Sequence, residues 1–213
     1  LKDRGITEYM VSSAVALGTK ALVLTVDVPV LPARRQSRDR ELVPNSMVLA
    51  NVRGNPDPTA LEPSPSVTPA DVTWLKSISG LPVVVKGVLR SETARRFVSA
   101  GADAVWVSNH GGRQLDAAVA SAFVLPRVRE VLDDHTDLYV DGGISTGADV
   151  VKAIALGASC AFMGRAPLLG LAARGEQGVA QVLECTIRDL RDALQLVGKT
   201  RLADVNSDLI WEG

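Results

Sequence analysis

Disulfide capacity, net charge and long apolar runs are all scarce in this 213-residue chain, and each scarcity excludes a class of protein. Its two cysteines, Cys160 and Cys185, have no CxxC spacing and cannot staple a small secreted scaffold; the simple reading is reduced core thiols in a cytoplasmic protein. Lys and Arg number 23 against 24 Asp and Glu, a net charge of −1, which argues against binding nucleic acid or an anionic membrane through bulk charge. No stretch reaches the ~18 consecutive apolar residues of a membrane span, and no charged segment leads into an apolar one as in a secretory leader. No G-x-G-x-x-G opens a helix after a strand, so a nicotinamide cofactor on a Rossmann unit is not expected. Gly198-Lys199-Thr200 lacks the glycine that a P-loop needs at position 193, which is Ala. With 46% hydrophobic, 22% charged and 4% aromatic residues, the composition is that of one globular domain. At this length roughly 70% of the unfolded surface is buried, so staples are not needed.

Five short apolar runs are present: Ala21–Asp27, Pro82–Gly87, Ala104–His110, Leu138–Gly143 and Cys160–Arg165. Each is continuous rather than alternating, as in parallel strands buried on both faces. Between them lie segments of helical period, Thr7–Leu17, Ser91–Ala100, Ala120–Leu132, Gly147–Leu156 and the long amphipathic Gly178–Val197. Ser91-Glu92 and Ser145-Thr146-Gly147 carry helix-start chemistry, and Gly101-Ala102-Asp103 and Gly157-Ala158-Ser159 are twin turns back into a strand. The expected fold is α/β with a parallel sheet of βα units. The Pro-rich stretch from about Gln36 to Thr68 interrupts the repeat and reads as a loop insertion, either a functional lid or a surface excursion.

The ends of the runs carry the chemistry. They read Thr25-Val26-Asp27, Lys86-Gly87, Ser108-Asn109-His110-Gly111-Gly112-Arg113, Asp141-Gly142-Gly143 and Gly164-Arg165. Polar groups therefore gather at the carboxyl ends of the strands, where barrels and open α/β sheets keep their sites. His110, one of two histidines, stands on a Gly-rich turn from which it can reach a substrate proton, and a carboxylate such as Asp27 can orient it and raise its basicity. His135, between Asp134 and Thr136, reads as a solvated surface residue. The glycines of Asp141-Gly142-Gly143, together with Arg165 one unit later, suit a phosphate. Arg34, Arg35, Arg38 and Arg40 form either a solvated face or a carboxylate clamp. Lys86 ends a run of three valines, where a buried ammonium calls for an anion, such as a negatively charged cofactor group.

Leu24-Thr25-Val26-Asp27-Val28-Pro29, Val85-Lys86-Gly87-Val88, Ser108-Asn109-His110-Gly111-Gly112-Arg113-Gln114-Leu115-Asp116, Val140-Asp141-Gly142-Gly143-Ile144 and Met163-Gly164-Arg165 together resemble the FMN-dependent 2-hydroxy acid oxidase and dehydrogenase family, that of glycolate oxidase, lactate oxidase, mandelate dehydrogenase and flavocytochrome b2. The resemblance covers the chain apart from the Pro-rich insertion. It implies a (β/α)8 TIM barrel, incomplete here, with the last five βα units present. It also implies FMN as cofactor and oxidation of an L-2-hydroxy acid to a 2-oxo acid. Carried over by position, His110 is the base and Asp27 its partner, and Arg34 and Arg113 bind the substrate carboxylate. Thr25, Lys86 and Ser108 contact the flavin, and Asp141, Gly143, Gly164 and Arg165 hold the ribityl chain and phosphate. No metal is implied. Partners are the small 2-hydroxy acid and an electron acceptor (oxygen, a quinone or a cytochrome), with no nucleic acid and with a homo-oligomer possible.

Two departures stand out. Ser145 follows the Asp-Gly-Gly-Ile string where many members place an Arg, so Arg165 is left with more of the phosphate. The first three barrel units have no counterpart, and neither Tyr9 nor Tyr139 matches the family's substrate-binding tyrosines. The chain opens Leu-Lys-Asp-Arg, as if inside a helix, so a start within a larger protein is expected. A five-stranded arc has two open edges, and instability or aggregation of the chain alone is the expectation unless another segment completes it. The rival readings are another FMN barrel, such as a type 2 isopentenyl diphosphate isomerase, and an inactive fragment that binds flavin phosphate or a partner chain.

Overall fold

The computed structural model describes residues 1–30 and 58–211. Helix α1 (Arg4–Ala16) leads into strand β1 (Leu22–Thr25). Then come α2 (Ala70–Ser79), β2 (Val83–Val88), α3 (Ser91–Ser99), β3 (Ala104–Val107) and α4 (Ser121–Arg129). The chain continues through β4 (Asp137–Val140), α5 (Gly147–Ala155), β5 (Cys160–Ala161) and α6 (Arg165–Leu196). All pairings are parallel and the strands lie in chain order, β1-β2-β3-β4-β5. That sequential winding is the wall of a (β/α) barrel, here an arc of five units.

Side chains alternate across each strand, and the two faces differ. Leu22, Leu24, Val83, Val85, Val105, Val107, Leu138 and Val140 face the helices and join Val72, Leu75, Phe97, Leu125 and Val128 in one core. The opposite face carries Val23, Thr25, Lys86, Trp106 and Tyr139. There Trp106 stacks on Phe162 with ring centroids 3.9 Å apart and meets Tyr139 edge-on at 6.2 Å. Val23 on this face is 50% exposed, so the concave side of the arc is the less covered one.

The turns into the strands explain why the sheet holds its register. Gly101 and Gly157, at φ of 97° and 100°, let α3 and α5 stop and the chain reverse. Asp103 then exchanges bonds with Val83: its N–H donates to the Val83 carbonyl at 2.9 Å, and its Oδ2 accepts from Val83 N at 2.7 Å. Ser159 does the same with Leu138, at 2.7 Å and 3.1 Å. Lys76 adds an ion pair to Asp103 at 2.9 Å. Burial works to raise the Asp103 carboxyl, but the Lys76 bond and charge and the Val83 amide outweigh it and hold it below its ordinary value.

Several expectations need correction. Helix α2 lies just past the Pro-rich stretch and is not one of the helical segments singled out from the sequence, although Pro69 at its N-cap and Gly80 in the left-handed conformation at its C-cap are ordinary end signals. Ser91 does not cap α3: the cap position is Arg90, and Ser91 Oγ instead donates to the Arg127 carbonyl at 2.8 Å. The fifth apolar run gives a ladder of two residues only, Cys160 and Ala161, and a helix opens at Arg165 soon after. Neither cysteine is a core thiol, since Cys160 is half-buried on the concave face and Cys185 is exposed. Helix α6 starts well before Gly178 and is broken at Arg174 and Gly175. Its two arms meet at Gly170 and Gly178, where a Cβ on Gly170 would lie 2.5 Å from the Gly178 carbonyl oxygen. The part of the Pro-rich stretch before residue 58 lies outside the described residues.

Candidate active site

The centre of the site is the turn that follows β3. His110 adopts φ of 52°, unusual for a residue with a side chain, and the two glycines after it are also left-handed, at 64° and 76°. The His110 N–H donates to Ser108 Oγ at 3.1 Å, and Ser108 is fully buried. The ring lies between two charged groups from neighbouring strand ends. Asp27, just past β1, places Oδ2 2.6 Å from Nδ1, while Lys86 of β2 brings Nζ to 3.2 Å from Nε2. Lys86 Nζ also donates to Ser108 Oγ at 3.1 Å and pairs with Asp141, past β4, at 3.3 Å. Four strand ends thus contribute to one network.

Gly87 makes the Asp27 position available. A Cβ on Gly87 would collide with Asp27 Oδ1, and its φ of 99° disfavours a side chain independently. The β2–β3 register shifts between Lys86, paired with Trp106, and Val88, paired with Val107, so Gly87 is the residue skipped by the ladder. An isolated glycine in a valine-rich strand is the sequence signal for such a close approach; neither Gly87 nor Asn109 is among the residues expected from the sequence to build the site.

Beside the network opens a cleft of about 490 Å³ lined by Lys86, Trp106, His110, Arg113, Asp141, Gly143, Ser145, Phe162, Gly164 and Arg165 among others. Thr25 ends β1 opposite Lys86 but does not line this cleft. Arg34 lies outside the described residues, as do Arg35, Arg38 and Arg40. His135 is exposed, as its polar surroundings suggest. Ser145 is turned toward helix α5: its N–H and Oγ each donate to Asp149 Oδ2 at 3.2 Å, beside the Thr146 capping box. Burial works to raise the Asp149 carboxyl, but these hydrogen bonds from Thr146 and Ser145 outweigh it and hold it low. Burial, and then the charge of Asp137, raise the Tyr139 phenol on the concave face.

Among the described residues, two buried carboxylate oxygens, Asp27 Oδ1 and Asp141 Oδ1, and the Trp106 indole nitrogen have no hydrogen-bond partner. Buried polar atoms are rarely left so. Gly143 and Gly164 present backbone to open space, with no atom within 4 Å of the position a Cβ would take, and α6 begins at Arg165 without a side-chain cap. Among the described residues there is no cluster of His, Cys, Asp or Glu suited to a metal, and no helix long and apolar enough to cross a membrane.

The family described as FMN-dependent dehydrogenase matches residues 1–212. An L-lactate oxidase from Nostoc sp. is 42% identical over 224 residues, covering 98% of this chain and 61% of the relative. A soluble mutant of the membrane-associated (S)-mandelate dehydrogenase from Pseudomonas putida superimposes with a TM-score of 0.89 at 34% identity, over 98% of this chain and 62% of that one. A mandelate oxidase with (S)-4-hydroxymandelic acid gives a TM-score of 0.85 at 37% identity, over 96% and 61%. The chain therefore spans about three fifths of the length of these relatives.

Proposed function

The chain belongs to the FMN-dependent dehydrogenase family, and from that membership we propose that it forms the C-terminal part of an FMN barrel whose site oxidises an L-2-hydroxy acid to a 2-oxo acid. The Pro-rich stretch at about 36–68 is a loop insertion in that barrel. One observation carries the role of His110. Lys86 Nζ is a donor with no acceptor capacity, so at 3.2 Å it requires Nε2 to hold the lone pair and Nδ1 to carry the proton shared with Asp27. Nε2 is thus the ring atom able to take a proton.

Converting CH–OH to C=O removes two electrons and two protons; FMN, when bound, would supply the sink for both electrons and one proton, which leaves one proton for a base of the protein. His110 Nε2 accepts a proton from the substrate, and Asp27 stabilises the imidazolium that results. Arg113, on the cleft wall, and Arg34 bind the substrate carboxylate, to which guanidinium forks are matched. Lys86, held by Ser108 and Asp141, keeps a positive charge beside the cleft that offsets charge gained by the cofactor. The residues fit such a group: unpartnered buried atoms at Asp141 and Trp106, backbone opened by Gly143 and Gly164, and a helix start at Arg165 suit a ligand with many polar atoms and a phosphate. Asp141, Gly143, Gly164 and Arg165 would hold the ribityl chain and phosphate; for Thr25 and Ser108, which lie outside the cleft lining, contact with the flavin ring follows from the family membership. Reoxidation uses oxygen, a quinone or a cytochrome.

The test is anaerobic addition of glycolate, lactate or mandelate to FMN-loaded protein freed of excess flavin. Bleaching of the flavin absorbance by at least one acid is expected, with His110→Ala retaining flavin but not bleaching. Bleaching of that variant at the parental rate removes His110 as the base.

A further inference from the structure

We propose that Asn109 is the positioning residue of the catalytic turn, tying His110 to the far end of its own β3–α4 loop and to the neighbouring β4–α5 loop; this rests on the reading of His110 as the base. Three consecutive left-handed residues, His110, Gly111 and Gly112, place the imidazole where it meets Asp27 and Lys86. A histidine is disfavoured in that conformation and keeps it where its surroundings impose it. Asn109 imposes it twice over. Its side-chain Oδ1 accepts from Gly111 N at 2.9 Å, and its backbone carbonyl accepts from Gly112 N at 2.9 Å. The first of these is an Asx-type turn, the geometry in which a short side-chain amide or carboxylate replaces a backbone acceptor.

The same side chain reaches outward. Nδ2 donates to the Val119 carbonyl at 3.2 Å, which fixes the far end of the segment carrying Arg113. On its other side Asn109 fills the space left by a missing side chain on Gly142: a Cβ there would lie 3.1 Å from Asn109 Oδ1. Gly142 follows Asp141, the ion-pair partner of Lys86. One half-buried amide therefore links the proposed base, the segment of the carboxylate-binding Arg113 and the loop assigned to the cofactor. None of its own atoms reaches the cleft lining, so it acts through the groups it holds.

Asn109→Ala removes the acceptor and the donor, while Asn109→Ser restores an acceptor of ST-turn type without adding charge. In FMN-loaded protein, turnover per bound flavin is expected to fall about tenfold to a hundredfold in Asn109→Ala, the scale of a misplaced catalytic group, with flavin affinity within about threefold of the parent. Asn109→Ser should recover most of it. In the protein without flavin, amide exchange at Gly111 should accelerate in Asn109→Ala while that at His110, bonded to Ser108, stays as it was. The proposal is overturned if turnover per flavin is unchanged in Asn109→Ala, if Asn109→Ser is equally slow, if the loss is wholly one of bound flavin, or if Gly111 exchange does not move. His110→Ala separates the two readings. If it abolishes turnover and Asn109→Ala does not slow it, the positioning role alone fails; if His110→Ala keeps turnover, the base assignment fails.

Discussion

The two rims of the sheet use the same residue types in opposite ways. At the rim where strands begin, Asp103 and Ser159 accept from amides near the starts of neighbouring strands, those of Val83 and Leu138, and Lys76 covers Asp103. At the rim where strands end, Asp27 and Asp141 each keep a buried oxygen without a partner among the described residues, and His110 is held in a disfavoured conformation. A carboxylate that satisfies backbone stabilises the fold. One left unsatisfied costs stability, a cost that a ligand can offset. In barrel-type sheets the strand starts carry stability and the strand ends carry chemistry, and here the division is visible in hydrogen bonds.

That contrast can be broken experimentally, and the largest effect is expected at the strand ends. His110→Ala should lower turnover by about 10²–10⁴-fold, the usual range for a lost acid–base group, and leave the melting temperature in place. Gly87→Ala puts a methyl into the space of the Asp27 carboxylate and should slow turnover by about a hundredfold per bound flavin. At the other rim, Asp103→Ala leaves the buried Val83 amide unsatisfied and should cost about 1–3 kcal/mol in thermal or denaturant unfolding, with turnover per folded molecule intact. A turnover loss in Asp103→Ala as large as that of Gly87→Ala would erase the distinction.

The smallest effect sharpens the contrast through pH. The folded-state carboxyls of Asp103 and Asp149 lie below 3.8, so the unfolded chain binds their protons more readily. Their stabilisation is therefore complete above that value and is lost as pH falls through the lower folded values. Melting temperature followed between about pH 5 and pH 2 should drop less steeply in Asp103→Asn than in the parent. Equal slopes would show that Asp103 contributes nothing to acid unfolding.

The strands and the residues at their ends are legible because continuous Val-rich runs have few alternatives and because charged groups at the ends of such runs are conspicuous. Lys86, His110 and Asp141 can be named for that reason, and the structure brings them, with Asp27 and Ser108, into one network. Less legible is anything decided by a tertiary neighbour. Ser91 has the chemistry of a cap, but the Arg127 carbonyl claims its hydroxyl. The last apolar run promises a full strand, yet its pairing ends with Ala161 and Phe162 against Val140. Asn109 is inconspicuous inside a string dominated by His110, since its value lies in reaching Val119 and Gly142, which no local pattern reveals.

The Asp27–His110 contact joins residues 83 positions apart, and it forms only when the first three strands are side by side. Helices and neighbouring strand pairs depend on shorter separations and assemble sooner. A folding chain therefore acquires its shape before its chemistry. A reaction that depends on the Asp27–His110 pair, as the proposed oxidation does, would therefore report only fully assembled protein, and partly folded forms would be silent to it.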